Sequence, residues 1–291
     1  MHWKSWVGWI RLYWEYLIMQ KNKFKVACLQ MTTGMDINKN LSILYKKMKK
    51  AKARGADLII TPEQTLLMAK NKKQLFDQIS IEEDDFGLSK IKEIVRELSV
   101  YTIIGSISIK YDNKFALNRS YAFDSEGKII NFYDKIHMFD IKINANEKYF
   151  ESNTYKPGRV LSSVELPWGI CGLTICYDLR FPYIYRELAQ KGAKFITVPS
   201  AFTVKTGQAH WHTLLRARAI ETGCFIFAPA QIGIHENGRK TYGHSLIISP
   251  WGDIISEAKD NDDMIIAECD THEVALMRKK IPSINQNYDY I

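Results

Sequence analysis

The sequence predicts one α/β domain, and three observations carry that expectation. From about Phe24 onward, short apolar runs alternate with amphipathic ones, the pattern of strands and helices in layered α/β folds. No low-complexity linker or sharp change of composition interrupts the alternation. A chain of 291 residues, 46% hydrophobic and 25% charged, has the length and ordinary composition to bury a large core. The expected organisation is an extension, residues 1–23, followed by a single domain, residues 24–291.

The elements follow in order. "FKVACLQM" reads as a short buried strand bounded by polar residues. Leu41, Leu44, Met48 and Ala51 recur at helical spacing, and Gly55 stands where such a helix ends. "DLIITPEQ" is a strand closing at Pro62, and a helix from about Leu88 to Ser99 feeds the strand "YTIIGSISI". "RSYAFD", "SEGK" and "IINFYDKIH" read as a hairpin with Gly127 in its turn. The second half repeats the theme. "ICGLTIC" is strand-like, "DLRFPYIYRELAQKGA" helical and "KFITVPSAF" a strand. A helix then carries Trp211, Leu214, Leu215 and Ala219 inward, and "CFIFAPAQIG", "GHSLIISP" and "DMIIAECD" are further strands.

The extension differs from the rest. Residues 1–23 hold four of the seven tryptophans, with Arg11 and Glu15 interrupting the apolar run. That is too short and too charged for a membrane span, and no small-residue cleavage site follows. Trp3, Trp6, Ile10, Tyr13 and Leu17 could share one face of an interfacial helix; packing on the domain, or a natural start at Met19, are the other readings.

The net charge of +8 is concentrated near the N-terminus, where Lys4, Arg11, Lys21, Lys23 and Lys25 against Glu15 make +4. The second cluster, Lys46 to Arg54, lies on the first helix and reads as a solvated face. No aromatic-laced basic groove accompanies either, so no nucleic-acid partner is expected. Five cysteines at scattered spacings, with no C-x-x-C pair, form no disulfide framework and point to a reducing, cytoplasmic setting.

Three polar residues stand at strand ends. Cys176 lies where "ICGLTI" gives way to the helix expected near Asp178, at the sheet edge where ligands of α/β proteins bind. A helix N-terminus there favours a thiolate. Core filling and nucleophile both remain open for Cys176, whereas Cys28, Cys171, Cys224 and Cys269 sit in apolar strand runs and read as core. Glu63 directly follows a buried strand, where desolvation raises a carboxylate's basicity and suits it to take a thiol proton, although an exposed loop glutamate is the blander reading. Lys135 closes the second hairpin strand, placed either to donate to an oxyanion or to pair with Asp134 or Asp140. His137, His210, His212 and His244 are rival bases. His210 and His212, two apart on a helix, face different ways, which argues against joint metal binding, and His244 reads as a hydrogen-bonded loop organiser.

Together, "TPEQ", "YDKIHMFD" and "GLTICYDLRFP" resemble, in order, the three catalytic segments of the nitrilase superfamily of carbon–nitrogen hydrolases. The resemblance runs from about Phe24 to Pro282. It implies an αββα sandwich with a Glu63–Lys135–Cys176 triad and Glu151, in "YFESNTYKPG", as a second glutamate. It also implies pairing into dimers or larger homo-oligomers, and hydrolysis of amides, nitriles or carbamoyl groups with no metal or cofactor.

The stretch from Pro199 to Gly252, with "LLRARAIE" and "RKTYGHS", is most similar to the branch that includes deaminated-glutathione amidases. ω-Amidases are less similar there; true nitrilases usually place tryptophan and glutamate after the cysteine, where this chain has Tyr177 and Asp178. ω-Amidase, N-carbamoyl amino acid hydrolase and a catalytically silent scaffold are the alternatives. Two departures stand out: His212, where many relatives have glutamate, and the closing "SINQNYDYI", which lacks the group's basic, histidine-containing ending. For a small carboxylate-bearing amide, Arg180 and Arg239 are the candidate cations, each with an intramolecular salt bridge as the alternative. The backbone N–H of Tyr177 is a candidate oxyanion donor, and Phe202 and Thr203 are candidates to shape the acyl pocket.

Overall fold

The structure, a computed structural model, describes residues 22–142, 148–260 and 264–287. The readings of the Trp-rich segment through residue 21, and of the last four residues, lie outside the described residues.

In chain order the first half contains β1 (Lys23–Leu29), α1 (Ile37–Ala53), β2 (Leu58–Ile60), α2 (Lys72–Phe76), α3 (Phe86–Leu98), β3 (Tyr101–Lys110), β4 (Ala116–Phe123) and β5 (Ile129–Asp134). A small hairpin follows, β6 (Asp140–Lys142) and β7 (Lys148–Phe150). The second half has β8 (Ser162–Leu166), β9 (Gly169–Leu173), α4 (Pro182–Gln190), β10 (Ala193–Thr197), α5 (Val204–Thr222) and β11 (Phe225–Ala228). The chain closes with β12 (Ile232–Ile234), β13 (Lys240–Tyr242), β14 (Leu246–Ile248), β15 (Ile254–Glu257), β16 (Met264–Asp270) and α6 (His272–Lys280).

Two six-stranded sheets result, ordered β16-β1-β2-β3-β4-β5 and β15-β14-β11-β10-β9-β8. Strand alternation explains why they stack. In β1, Val26 and Cys28 point into the core between the sheets, while Ala27 and Leu29 point the other way, against α1 and α3. Leu58 and Ile60 of β2 likewise face inward and Ile59 outward, the two-residue period of a pleated strand buried on both faces. On the far side, Ile184 and Leu188 of α4 and Trp211 and Leu215 of α5 cover the second sheet. The architecture is the expected αββα sandwich. Its seam includes Phe24 stacked on Trp168 at 4.6 Å and edge-on to Phe227 at 6.1 Å.

Element ends follow local chemistry. Asp36 caps α1 by accepting the Lys39 N–H, and Gly55, at φ +85°, turns the chain out of it. The third helix starts at Phe86 rather than Leu88 because Asp85 caps it, accepting the Leu88 N–H at 2.8 Å. The helix expected from Asp178 begins only at Pro182. Phe181, preceding proline, is held out of the helical region at φ −115°, ψ 87°, and residues 176–180 form a single 3₁₀ turn instead. Among the described residues, no helix is long and apolar enough to cross a membrane.

Candidate active site

The carboxyl ends of β2 and β9 deliver two of the candidate residues to one place. After β2 the chain turns at Thr61–Gln64, where Thr65 Oγ1 donates to the Pro62 carbonyl at 2.8 Å and the Gln64 N–H to Ser106 Oγ at 2.9 Å. Gly105 on β3 makes the close approach possible. A Cβ there would lie 2.0 Å from the Thr61 carbonyl and 2.4 Å from Pro199 Cβ, on the loop after β10. Glu63 thereby sits at the seam between the sheets.

Cys176 leaves β9 in the left-handed region, at φ +49°, a conformation that costs a non-glycine residue on the order of 1–3 kcal/mol. Its neighbours hold it there. The Cys176 N–H donates to the Pro199 carbonyl at 2.9 Å. The fully buried Asp178 carboxylate accepts from the Ile175 N–H (2.9 Å), Tyr133 Oη (2.8 Å) and the His137 N–H (3.1 Å), and meets His137 Nδ1 at 2.7 Å.

Lys135 joins the sheets' contributions. Its Nζ donates to Glu63 Oε1 at 2.9 Å and to both Glu151 oxygens at 3.1 and 2.8 Å. Asn118 Nδ2 bridges the same two carboxylates, at 3.0 Å to Glu63 and 3.1 Å to Glu151. Backbone N–H groups complete the set: Ala201 donates to Glu63 Oε2 at 3.0 Å and Phe139 to Glu151 Oε2 at 2.7 Å. Glu63, Lys135, Glu151 and Cys176 all line one cavity of about 280 Å³.

The electrostatics follow from burial and charge. Desolvation raises the Cys176 thiol well above its ordinary value, and the charge of Glu63 raises it further, against a smaller opposing effect from Lys135. Burial also works to raise Glu63, but Lys135 and then Arg239, with hydrogen bonds from Lys135 and Cys176, outweigh it and hold the carboxyl below the usual range. Burial opposes the Lys135 charge, yet Glu151 and Glu63 keep it firmly an ammonium. At rest the site holds a protonated thiol and an ionised carboxylate, beside a lysine paired with two carboxylates.

The carbon–nitrogen hydrolase family profile matches residues 25–279. The chain belongs to the carbon–nitrogen hydrolase family. As a member it is an enzyme that hydrolyses carbon–nitrogen bonds other than peptide bonds. It is 37% identical over 265 residues to a deaminated glutathione amidase of Yersinia enterocolitica, covering 90% of this chain and 92% of that one. The deaminated glutathione amidase of Mus musculus is 34% identical over 262 residues, covering 88% and 81%. The crystal structure of the C. elegans NitFhit protein superposes with a TM-score of 0.84 at 32% identity, the match covering 91% of this chain and 65% of that one.

Of the residues singled out from sequence, Tyr177, Phe202, Thr203 and Arg239 join the four above around the cavity. Among the described residues, none accepts a hydrogen bond from the Tyr177 N–H. Arg180 is not part of the cavity lining. Its guanidinium lies beside the Tyr177 and Phe202 rings, at 5.9 and 5.5 Å, and 3.4 Å from His210. Among the described residues Arg239 makes no salt bridge and its buried Nε has no partner, while Nη2 donates to the Ala201 carbonyl at 2.6 Å. Lys135 does not pair with Asp134, which binds Arg119. His137 serves Asp178 rather than the thiol.

Two expectations need correcting. No α-helix begins at Cys176, so no helix terminus acidifies the thiol; burial and Glu63 raise it instead. Glu63 is desolvated as expected, yet its basicity falls because two cations face it. Sequence reasoning also missed Asn118. An asparagine inside the apolar strand run "FALNRSYAF" was the available signal, since strands disfavour it.

Proposed function

We propose that this hydrolase is a cysteine-dependent amidase, with Cys176 as nucleophile, Glu63 as general base and acid, Lys135 as oxyanion donor and Glu151 orienting Lys135. The observation that carries the reading is Lys135 Nζ held between Glu63 and Glu151 in the cavity that Cys176 lines. As sulfur attacks an amide carbonyl, the thiol proton passes to Glu63. Attack and transfer proceed together, because a raised thiol and a lowered carboxyl make ionisation before attack unfavourable. Lys135 and the Tyr177 N–H then receive the oxyanion, a contact worth about 3–4 kcal/mol per donor. Glu63 returns its proton to the departing nitrogen, ammonia leaves, and a thioester remains on Cys176. Water gives a proton to Glu63 and attacks the thioester; collapse releases the acid and the sulfur regains the proton.

For the substrate we infer a small carboxylate-bearing amide of the deaminated-glutathione type. The names of the relatives support it, as does a cavity wall carrying Arg239, Asn237 and Lys72. Phe202 and Thr203 shape the acyl end. One catalytic domain from residue 24, a cytoplasmic setting and assembly into a homodimer or larger oligomer belong to the same reading; the exposed Ile254 and Ile255 on edge strand β15 support the last.

The test is ammonia release by wild type and Cys176→Ala from deaminated glutathione, α-ketoglutaramate, N-carbamoyl amino acids, and simple amides and nitriles. Release confined to wild type, with the variant down by about 10⁴-fold or more, is expected, fastest with deaminated glutathione. A preference for α-ketoglutaramate or a carbamoyl compound would move the enzyme to the ω-amidase or carbamoylase class. Equal turnover by both proteins would overturn the role of Cys176.

A further inference from the structure

Away from the cavity, three side chains from distant parts of the chain converge. His212 comes from the middle of α5, His244 from the loop after β13, and Glu257 from the last position of β15. His212 Nε2 and His244 Nδ1 each lie 2.9 Å from the same oxygen, Glu257 Oε1. The ligand atoms of all three lie within 4.8 Å of one another.

We infer that His212, His244 and Glu257 form a binding site for a divalent transition-metal ion of the zinc type. A tetrahedral ion with bonds of about 2.0–2.1 Å needs ligand atoms roughly 3.3 Å apart, a few tenths beyond the two nitrogen–oxygen separations and inside the 4.8 Å that bounds all three ligand atoms. Two imidazoles and one carboxylate suit zinc, cobalt or nickel rather than magnesium or calcium. Each side chain is about a third exposed, at 31%, 28% and 35%, which leaves a face for a water as fourth ligand. Among the described residues, none holds His212 Nδ1 or His244 Nε2. Each ring can therefore carry its proton outward and turn the inner nitrogen's lone pair to the ion.

The surroundings fix the ligands. His244 sits at φ +56°, its carbonyl accepts from Trp211 Nε1 at 2.7 Å, and its ring stacks on Tyr242 at 4.3 Å. Trp211 and Tyr242 both reach Phe202 of the amide cavity, by ring packing at 4.8 Å and by a 3.0 Å bond from the Tyr242 N–H to the Phe202 carbonyl. An ion here clamps α5 to the segment behind Phe202 and stiffens that wall.

The experiment uses the full chain without a polyhistidine tag, in a Cys176→Ala background that removes the cavity thiol, and adds Zn²⁺ or Co²⁺ alone. The expected result is one ion per chain and a cobalt spectrum lacking thiolate charge transfer. His212→Gln and Glu257→Gln, the latter keeping the carboxylate's shape and a hydrogen-bond acceptor, should each weaken cobalt binding more than about tenfold. Zinc should raise the melting temperature of the parent and not of His212→Gln. No uptake by the parent, or uptake of equal affinity in either folded variant, would overturn the site.

Discussion

The two sheets share one plan and supply different chemistry. Each has three parallel strands at its centre, β1-β2-β3 in the first and β9-β10-β11 in the second. Each is flanked by one antiparallel strand on one side, β16 or β8, and two on the other, β4-β5 or β14-β15. Even the turns correspond. A proline follows the middle strand by two residues in both, Pro62 after Ile60 and Pro199 after Thr197. The next residue is Glu63 in one and Ser200 in the other, whose hydroxyl merely donates to the Val198 carbonyl at 3.0 Å. Topology thus provides equivalent edges, and single residues decide which side chains each edge presents. The first sheet carries Glu63, Asn118 and Lys135; the second carries Cys176 and the Ala201 N–H that binds Glu63. Neither half holds all of the proposed site, which lies at the seam.

The largest break in that arrangement comes from Lys135→Met. With the ammonium gone, Glu63 and Glu151 lose the cation between them, and an uncompensated buried charge costs about 3–5 kcal/mol. With Lys135 in its proposed role as oxyanion donor, turnover should fall by about 10²–10³. Adding Glu63→Gln should return part of the stability, measured by urea unfolding, and none of the ammonia release. Strictly additive stability changes in the double variant would mean that the pair is not coupled and that Lys135 acts elsewhere.

A subtler contrast lies in the protons. Glu63 is held below the ordinary carboxylate range when folded, so its contribution to stability is present above the unfolded pKa and is lost as pH falls through the lower folded value. The acid limb of kcat/KM should accordingly lie below the ordinary glutamate range. The thiol moves the other way, so alkylation of Cys176 by a small haloacetamide should be slow at neutral pH and rise through the alkaline range. Glu63→Gln removes the charge that raises the thiol; a fall of one pKa unit increases the thiolate fraction about tenfold. That variant should alkylate faster while turning over more slowly. Slower alkylation would mean that Glu63 already holds the proton at rest.

Much of this was legible in the residues. The strand–helix alternation, the hairpin about Gly127, and Glu63, Lys135 and Cys176 at strand ends could all be read in order, because each depends on local pattern and turn chemistry. The unreadable parts depend on what the fold brings together. Arg180, four residues past the cysteine, was a natural pocket cation, but the delayed start of α4 left it beside the Tyr177 and Phe202 rings instead. The direction of the Glu63 pKa could not be inferred from an apolar strand, since Lys135 and Arg239 lie 72 and 176 positions away. Helical spacing separates His212 from His210, but the partners His244 and Glu257 lie 32 and 45 positions further on. Long-range convergence leaves no spacing to read.

Arg239 offers the smallest and most selective test. Its guanidinium lies 5.8 Å from the Tyr149 ring, and Nη2 is committed to the Ala201 carbonyl while the buried Nε has no partner among the described residues. A substrate carboxylate could meet it with a charge-assisted bond, worth about 1.5–3 kcal/mol, or roughly 10–100-fold in affinity. Arg239→Ala should therefore raise KM for acidic amides by that order and leave KM for neutral amides nearly unchanged. The same charge also helps to hold Glu63 down, so the acid limb should move upward for both substrates. The two effects separate cleanly. Equal changes of KM for acidic and neutral amides would sink the carboxylate subsite. An unmoved limb would assign Glu63's low pKa to Lys135 alone and confine the electrostatics of the site to the first sheet.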